Sequence, residues 1–355
     1  MKSMILILKL ILVLALLFGL YLLGSILLAT FTNFSPPEKT SIAAEGNPKN
    51  ELKQDETYTI YNWNIGYAGL GSESNFFYDG GKMVRPKQTM VDKYFSGILN
   101  KVEEWKDADF IFLQEVDINS KRSYQLAESQ LLNEKLITFF SSIAINYQVN
   151  YIPIPITKPM GKVKSGIITY GKMKPTENVR FQFPSKFPWP KNLFMLDRCM
   201  LFQRYPLANK KELIIINHHL SAYDNTGTLK AAEMDYLKKL VLKEYEKGNY
   251  VVVGGDWNQC PPDFDPYTKM SKEEADYDQS NIAKDFMPSD WTWAYDKSVN
   301  TNRKLVTEYK PNITFTTIID FYLLSPNIEV KTIEGIELGF ENSDHQPVKL
   351  VFSLK

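Results

Sequence analysis

The stretch Tyr250-Val-Val-Val-Gly-Gly-Asp-Trp-Asn258 restricts the possible folds more than any other part of this chain. Tyr250 to Val253 are β-branched or apolar on both faces, so the strand they form must be covered on both sides. That is the pattern of an inner strand in a layered α/β structure. Gly254 and Gly255 then end the run, where the chain turns sharply and backbone can come close to a ligand. Asp256 and Asn258 follow, and both can point from a strand end into one pocket. An acidic acceptor beside an amide donor suits a metal-bound phosphate, one group holding water or metal and the other an oxyanion. A plain Asp-x-Asn turn is the other reading of the same residues.

Similar apolar runs recur at Tyr58–Trp63, Phe110–Leu113, Gly166–Tyr170, Met200–Gln203, Leu213–Asn217, Ile318–Leu324 and Val348–Phe352. Helical spacing marks Thr89 to Trp105, where Met90, Tyr94, Ile98, Val102 and Trp105 share a face. The same spacing marks Leu229 to Glu246, which closes on Gly248-Asn249. Gln125 to Tyr147 also reads as largely helical. Strands with helices interspersed predict an α/β sandwich, two packed sheets flanked by helices, over residues 57–355. The chain shows no internal repeat.

Residues 4–31 are apolar except for Lys9. That run is long enough to cross a bilayer, which takes about 20 residues. A secretory signal has a shorter core, about 7–15 residues, and a small-x-small cleavage site. The expectation is therefore a transmembrane anchor over 1–32, with a cleaved signal peptide as the alternative. Lys2 and Lys9 place the N-terminus inside and the remaining chain on the extracytoplasmic side. Residues 33–56 are polar, with Pro36-Pro37, Gly46 and Pro48, and read as a flexible stalk. Lys plus Arg equals Asp plus Glu at 41 each, so no overall field draws the protein to nucleic acid. Cys199 and Cys260 lie far apart and do not form a zinc or redox spacing. They read as two buried free thiols, with one disulfide as the alternative.

Three other strand ends carry chemistry like that of Asp256 and Asn258. Tyr58-Thr-Ile-Tyr-Asn-Trp-Asn64 ends in an amide. Phe110-Ile-Phe-Leu-Gln-Glu-Val-Asp117 closes on Gln114 and Glu115, and a carboxylate at a buried strand end is costly unless paired or metal-bound. Leu213-Ile-Ile-Ile-Asn-His-His-Leu220 delivers Asn217, His218 and His219. Asp320 and the pair Asp344-His345 complete the set, and all three histidines of the chain lie in these elements. A carboxylate that fixes one imidazole nitrogen leaves the other free to activate water. Singly, Glu115 reads as a strand-end cap, His218 or His219 as a surface histidine, and Asp344 as a turn cap. Jointly, a metal-plus-base pocket explains them with fewer assumptions.

In this order the motifs resemble those of the endonuclease/exonuclease/phosphatase superfamily, and the likeness runs from about Tyr58 to Phe352. The resemblance implies a four-layered α/β sandwich and an Mg2+-dependent phosphoesterase, with Mn2+ as a substitute metal. It implies Glu115 as the metal-binding glutamate, with Asn64 near metal and phosphate and Asp344 beside the metal. His219 matches the histidine that binds the scissile phosphate, while His218 falls where a threonine is more usual. Asp256 would orient the attacking water and Asn258 hold a phosphate oxygen. Asp320 would orient the general histidine, His345. Arg198 corresponds to a basic residue that some branches carry before this strand.

The substrate is less legible. One reading is an anchored phosphoesterase acting on a lipid head group or small phosphoester, sphingomyelinase-like. A second is an anchored nuclease on DNA or RNA, and a third is an inactive binding module on the same fold. A continuous Lys/Arg stripe along the cleft would mark the nuclease. An apolar rim with aromatic loops would mark the lipid enzyme. The aromatic segment Phe181 to Phe194 reads either as such a membrane-dipping or substrate-binding loop or as a Pro-kinked loop packed on the domain.

Overall fold

The computed structural model describes residues 1–46, 52–54, 56–224, 226–266 and 280–355. The chain opens with helix α1 (Lys2–Phe31), which is long and apolar enough to cross a membrane. Strands β1 (Lys39–Ser41) and β2 (Thr57–Asn64) lead to α2 (Gln88–Glu103), β3 (Phe110–Asp117) and the short α3 (Glu128–Lys135). Five strands follow: β4 (Phe140–Ile152), β5 (Gly161–Gly171), β6 (Glu177–Gln182), β7 (Cys199–Pro206) and β8 (Glu212–His219). Then come α4 (Thr228–Glu246), β9 (Tyr250–Asp256), β10 (Thr292–Ala294), β11 (Asn302–Arg303) and β12 (Thr316–Thr317). The chain closes with β13 (Asp320–Leu324), β14 (Ile328–Gly335) and β15 (Val348–Leu354).

Two mixed sheets pack face to face. One has the order β1-β6-β7-β8-β9-β13-β10 and the other β14-β15-β2-β3-β5-β4, each with one parallel pair, β8 with β9 and β2 with β3. Alternation along each inner strand builds the layers. Tyr250 and Val252 join Ile60, Phe110, Phe112, Ile215 and Leu350 between the sheets. Val251 and Val253 face the other way, against Leu237 and Val241 of α4. Trp63, Ile111 and Leu113 face α2 and α3 on the far side. The result is the expected four-layered sandwich.

Polar groups tie the two sheets together at one end of the inter-sheet layer. Gln114 Nε2 donates to Asn62 Oδ1 and to Asn217 Oδ1, both at 2.8 Å. Asn217 Nδ2 in turn donates to the Ile168 carbonyl at 2.8 Å, and Asn62 Nδ2 to the Gly255 carbonyl at 3.3 Å. All three side chains are sealed from solvent. Gln114 Oε1 has no partner among the described residues, but both of its N–H groups are paired, and those two bonds favour one mutual position of the sheets.

Several expectations change. The helix expected over Gln125 to Tyr147 is only the eight residues of α3; Phe140–Ile152 is a strand paired with β5. Burial alternates along that strand, with Phe140, Ser142 and Ala144 inward. Its β-branched and aromatic residues obey period two, which the helical reading overlooked. The 33–56 stretch is not wholly a flexible stalk. Lys39–Ser41 add an edge strand to β6, and Ile42 packs on the Ala144–Leu201 cluster. Strand β9 continues through Gly254 and Gly255 rather than ending there. A Cβ at Gly254 would meet the Tyr322 ring, and one at Gly255 the His218 carbonyl. The glycines are needed for close packing, not for a turn. Phe181 and Phe183 of the aromatic segment are core residues, while Trp189 is 68% exposed. Cys199 and Cys260 are buried free thiols.

Replacing Gln114 by alanine strands two buried acceptors and leaves a cavity between the sheets. We expect a loss of about 2–4 kcal/mol, read as a lowered midpoint of thermal or urea unfolding of the detergent-solubilised chain. An unchanged midpoint would show that the bridge does not hold the sheets.

Candidate active site

Strand alternation determines which side chains reach the cleft. The column Val252, Gly254, Asp256 faces the inter-sheet layer, as do Ile215, Asn217, His219 and Ile60, Asn62, Asn64. Each column passes from apolar core through small or amide groups to a site residue at the strand end. His218 lies on the other face of β8, buried edge-on to the Trp257 ring with centroids 4.3 Å apart. Glu115 departs from the alternation. The β3–β5 register shifts between Leu113 and Val116, and Glu115 adopts a left-handed φ of 55°. Such a bulge re-aims a side chain at a cost on the order of 1 kcal/mol, here towards the cleft. Asp320 stands opposite Asp256 in the β9–β13 ladder, and Asp344-His345 precede β15.

Asp256 is the hub. Its Oδ1 accepts the Asn258 backbone N–H at 2.9 Å, and its Oδ2 accepts Asn64 Nδ2 at 3.0 Å. His219 Nε2 lies 3.2 Å and His345 Nε2 3.8 Å from the same Oδ2. Asn64 Nδ2 is 3.5 Å from Glu115 Oε1, and its own Oδ1 accepts the Gly66 N–H at 3.0 Å. Asn64 thus bridges two carboxylates through its amide nitrogen. His345 Nδ1 is 2.8 Å from Asp320 Oδ2, and His345 Nε2 lies 3.0 Å from Asn302 Nδ2 and 3.8 Å from Asp344 Oδ2. Asn258, at a left-handed φ of 49°, donates Nδ2 to the Leu220 carbonyl at 2.9 Å.

The charges follow from these neighbours. Burial pushes the Asp256 carboxyl up to about 6, against the pull of His345. Burial likewise raises Asp344 to about 7, opposed by His345 and assisted by Glu115. Burial alone would lower His345, but Asp320, Asp344 and Asp256 outweigh it and hold the imidazole well above its usual range. Burial lowers His218 to about 3 and takes His219 well below its usual value, the latter helped by the Arg198 charge. The site therefore holds one imidazolium among carboxylates and one neutral imidazole.

Asn64, Glu115, Arg198, His219, Asp256, Asn258, Asp320, Asp344 and His345, expected from the sequence, all converge here. All but Asn64 and Asp320 line one cleft of about 1310 Å³, and those two sit directly behind Asp256 and His345. Arg198 Nη1 is buried and has no hydrogen-bond partner among the described residues. Sequence reasoning missed Asn302, Arg122 and the α1 residues Leu22, Ser25 and Ile26 that also line the cleft. Arg122 pairs with Asp117 at 2.9 Å and lies 3.6 Å above the Tyr67 ring. The Asp117–Arg122 spacing carried no motif that would have marked it.

These environments give an NMR titration with a definite sign. In the metal-free chain, His345 should titrate well above the usual imidazole range, while His218 and His219 titrate well below it. Asp320→Asn removes a carboxylate from His345 and should move its titration to lower pH, leaving His218 unmoved. Three histidines titrating together near their unperturbed value would contradict this.

Compared by sequence, the chain matches no protein-family model and no curated protein. Its structure is similar to an endonuclease/exonuclease/phosphatase from Beutenbergia cavernae DSM 12333. The TM-score is 0.52 at 14% identity, over 84% of this chain and 72% of that one. The human Nocturnin catalytic domain, solved with a bound sulfate anion, gives 0.51 at 16% identity over 86% and 97% of the two chains. D. rerio TDP2 complexed with single strand DNA product gives 0.50 at 15% identity over 84% and 100%. What all three share with this chain is its architecture: the chain has the endonuclease/exonuclease/phosphatase fold.

Proposed function

We propose that this chain is a membrane-anchored, divalent-metal-dependent phosphoesterase directed at a lipid head group. The observation that carries the reading is the meeting of Glu115, Asn64, His219 and His345 around the Asp256 carboxylate in one cleft.

The metal fits best beside Glu115. Asp256, Asp320 and His345 also offer three ligand atoms within 4.8 Å of one another. There, however, Asp320 is already engaged by the His345 ring at 2.8 Å. Glu115 and Asp344, which both line the cleft, instead provide oxygen donors suited to Mg2+ or Mn2+. Asn64 would steer Glu115, and its Oδ1 would become a ligand only on leaving Gly66. When bound, the ion polarises the phosphate and offsets the Glu115–Asp344 charge.

The chain's own groups account for the remaining chemistry. Asp256 orients the attacking water and accepts its proton, and His345, held at Nδ1 by Asp320, exchanges a proton at Nε2. His219, Asn258 and Arg198 face the phosphate oxygens, and the unpartnered Arg198 Nη1 is a ready anion contact. The anchor is α1, oriented by Lys2 and Lys9 with the catalytic domain outside.

Lipid is favoured because Leu22, Ile26, Ile154, Pro190 and Phe194 form an apolar rim. Of the basic residues that line the cleft, Arg122 is bound to Asp117 and Arg303 to the backbone carbonyls of Leu70, Gly71 and Ser74, while Lys191, Arg198, Lys230 and Lys304 complete the set. The nuclease reading draws on TDP2, whose neighbouring structure holds a DNA product. An inactive binding module is disfavoured because no expected site position is missing.

The reconstituted chain with Mg2+ should release head groups from sphingomyelin- or phosphoinositide-containing vesicles and leave single-stranded and plasmid DNA intact. Asp256→Asn and His345→Ala should each lower kcat by about 10²–10⁴-fold without unfolding the chain. DNA cleavage lost in both variants, with lipids untouched, would make it a nuclease instead.

A further inference from the structure

Helix α1 divides sharply into two parts. Residues 1–20 are exposed on every side. From Tyr21 onward one face turns into the domain: Ser25 and Ala29 are buried, and Tyr21, Leu22 and Ile26 are partly covered. Small side chains at Ser25 and Ala29 allow this close approach. The Tyr21 hydroxyl lies 3.0 Å from that of Tyr151 and donates to the Pro153 carbonyl at 3.1 Å. The docked turns pack on β4 and on the turn Lys191–Phe194.

The free part is about 30 Å long at 1.5 Å per residue, comparable to the hydrocarbon thickness of a bilayer, with the long stem of Lys9 able to snorkel towards the inner head groups. The bilayer surface therefore falls where docking begins, at Tyr21 and Tyr151. Tyrosines are favoured at that depth. Beside them, Ile154, Ile156 and Trp189 are 39%, 50% and 68% exposed, with Lys158 and Lys191 also in solvent. Large apolar tips ringed by lysines suit a surface of lipid head groups. Leu22, Ile26 and Ile154 also line the mouth of the cleft that holds Glu115 and His345.

We propose that α1 is part of the site as well as its tether. Its docked end seats the mouth of the cleft on the bilayer it spans, with Ile154, Ile156 and Trp189 dipping into that surface. Lipid then enters sideways from the same membrane, and esters on other membranes are out of reach. This rests on the lipid-directed reading above for the nature of the substrate, but the seating itself can be read without turnover.

The test uses the full chain in phosphatidylcholine vesicles containing sphingomyelin, carrying single nitroxide labels through I154C, W189C and I137C. Ile137 is 79% exposed and precedes β4, at the opposite end of that thirteen-residue strand from the Tyr151 contact. Labels at 154 and 189 should be reached by oxygen and shielded from a water-soluble nickel complex, and the label at 137 should show the reverse. Ser25→Leu, which wedges α1 off the domain, should return the first two to water. Labels at 154 and 189 as accessible to nickel as that at 137 would overturn the seating, whatever the enzyme hydrolyses. In the same vesicles, head-group release from the anchoring membrane should exceed release from a second vesicle population by on the order of 10²-fold. Equal release from both would overturn the claim that the substrate comes from the same bilayer.

Discussion

The site depends on a short chain of amides sealed between two sheets. Gln114 has donors for Asn62 on its own sheet and Asn217 on the other, and neither acceptor can reach water. Sliding the sheets by one residue would break both contacts and strand buried polar groups, so the packing has one stable register. Each strand end is then fixed in space. Asn64 lies two residues beyond Asn62, His219 two beyond Asn217, and Glu115 directly after Gln114. Fold and site are therefore one construction: apolar residues hold the layers, amides align them, and the next residues meet in the cleft.

That alignment concentrates more negative charge than the site can neutralise alone. Asp256, Asp320 and Asp344 surround the His345 ring, with Glu115 4.0 Å from His219, and burial pushes Asp256 and Asp344 upwards. Buried carboxylates are retained at such cost where a cation or a proton transfer uses them. Burial away from water holds the His219 ring neutral, and the Arg198 charge adds to it. Two imidazoles in one cleft thus hold opposite charge states, one suited to contact an anion and the other to exchange a proton.

Much of this was legible because strands impose period two. Tyr250 to Val253 reads as a strand covered on both faces, whereas the roles of Asp256 and of His219 over His218 came from the family resemblance, and the period-two count accounts for them only once β9 is seen to continue. The layer order followed from strands alternating with helices such as α2 and α4. What failed did so for local reasons. Phe140–Ile152 follows a short helix, and its aromatic and β-branched residues also fit a helical spacing over a few turns. Gly254-Gly255 reads as a turn unless the Tyr322 ring and the His218 carbonyl beside it are known. Asn302 reaches the cleft from the two-residue strand β11 and Arg122 from a single turn, both too short for a periodicity to point a side chain. The docking of α1 depends on Ser25 and Ala29 meeting a surface more than a hundred residues away, which no local pattern encodes.

We propose that a divalent ion binds with Glu115, beside the Asp256–His345 pair and not within it. Calorimetric titration of Mn2+ into the full chain, Glu115→Gln and Asp320→Asn distinguishes the two places. One site is expected, whose affinity falls about 10-fold or more in Glu115→Gln and changes little in Asp320→Asn. Unchanged binding in Glu115→Gln, with loss in Asp320→Asn, would place the ion in the Asp256–Asp320–His345 cluster and contradict it.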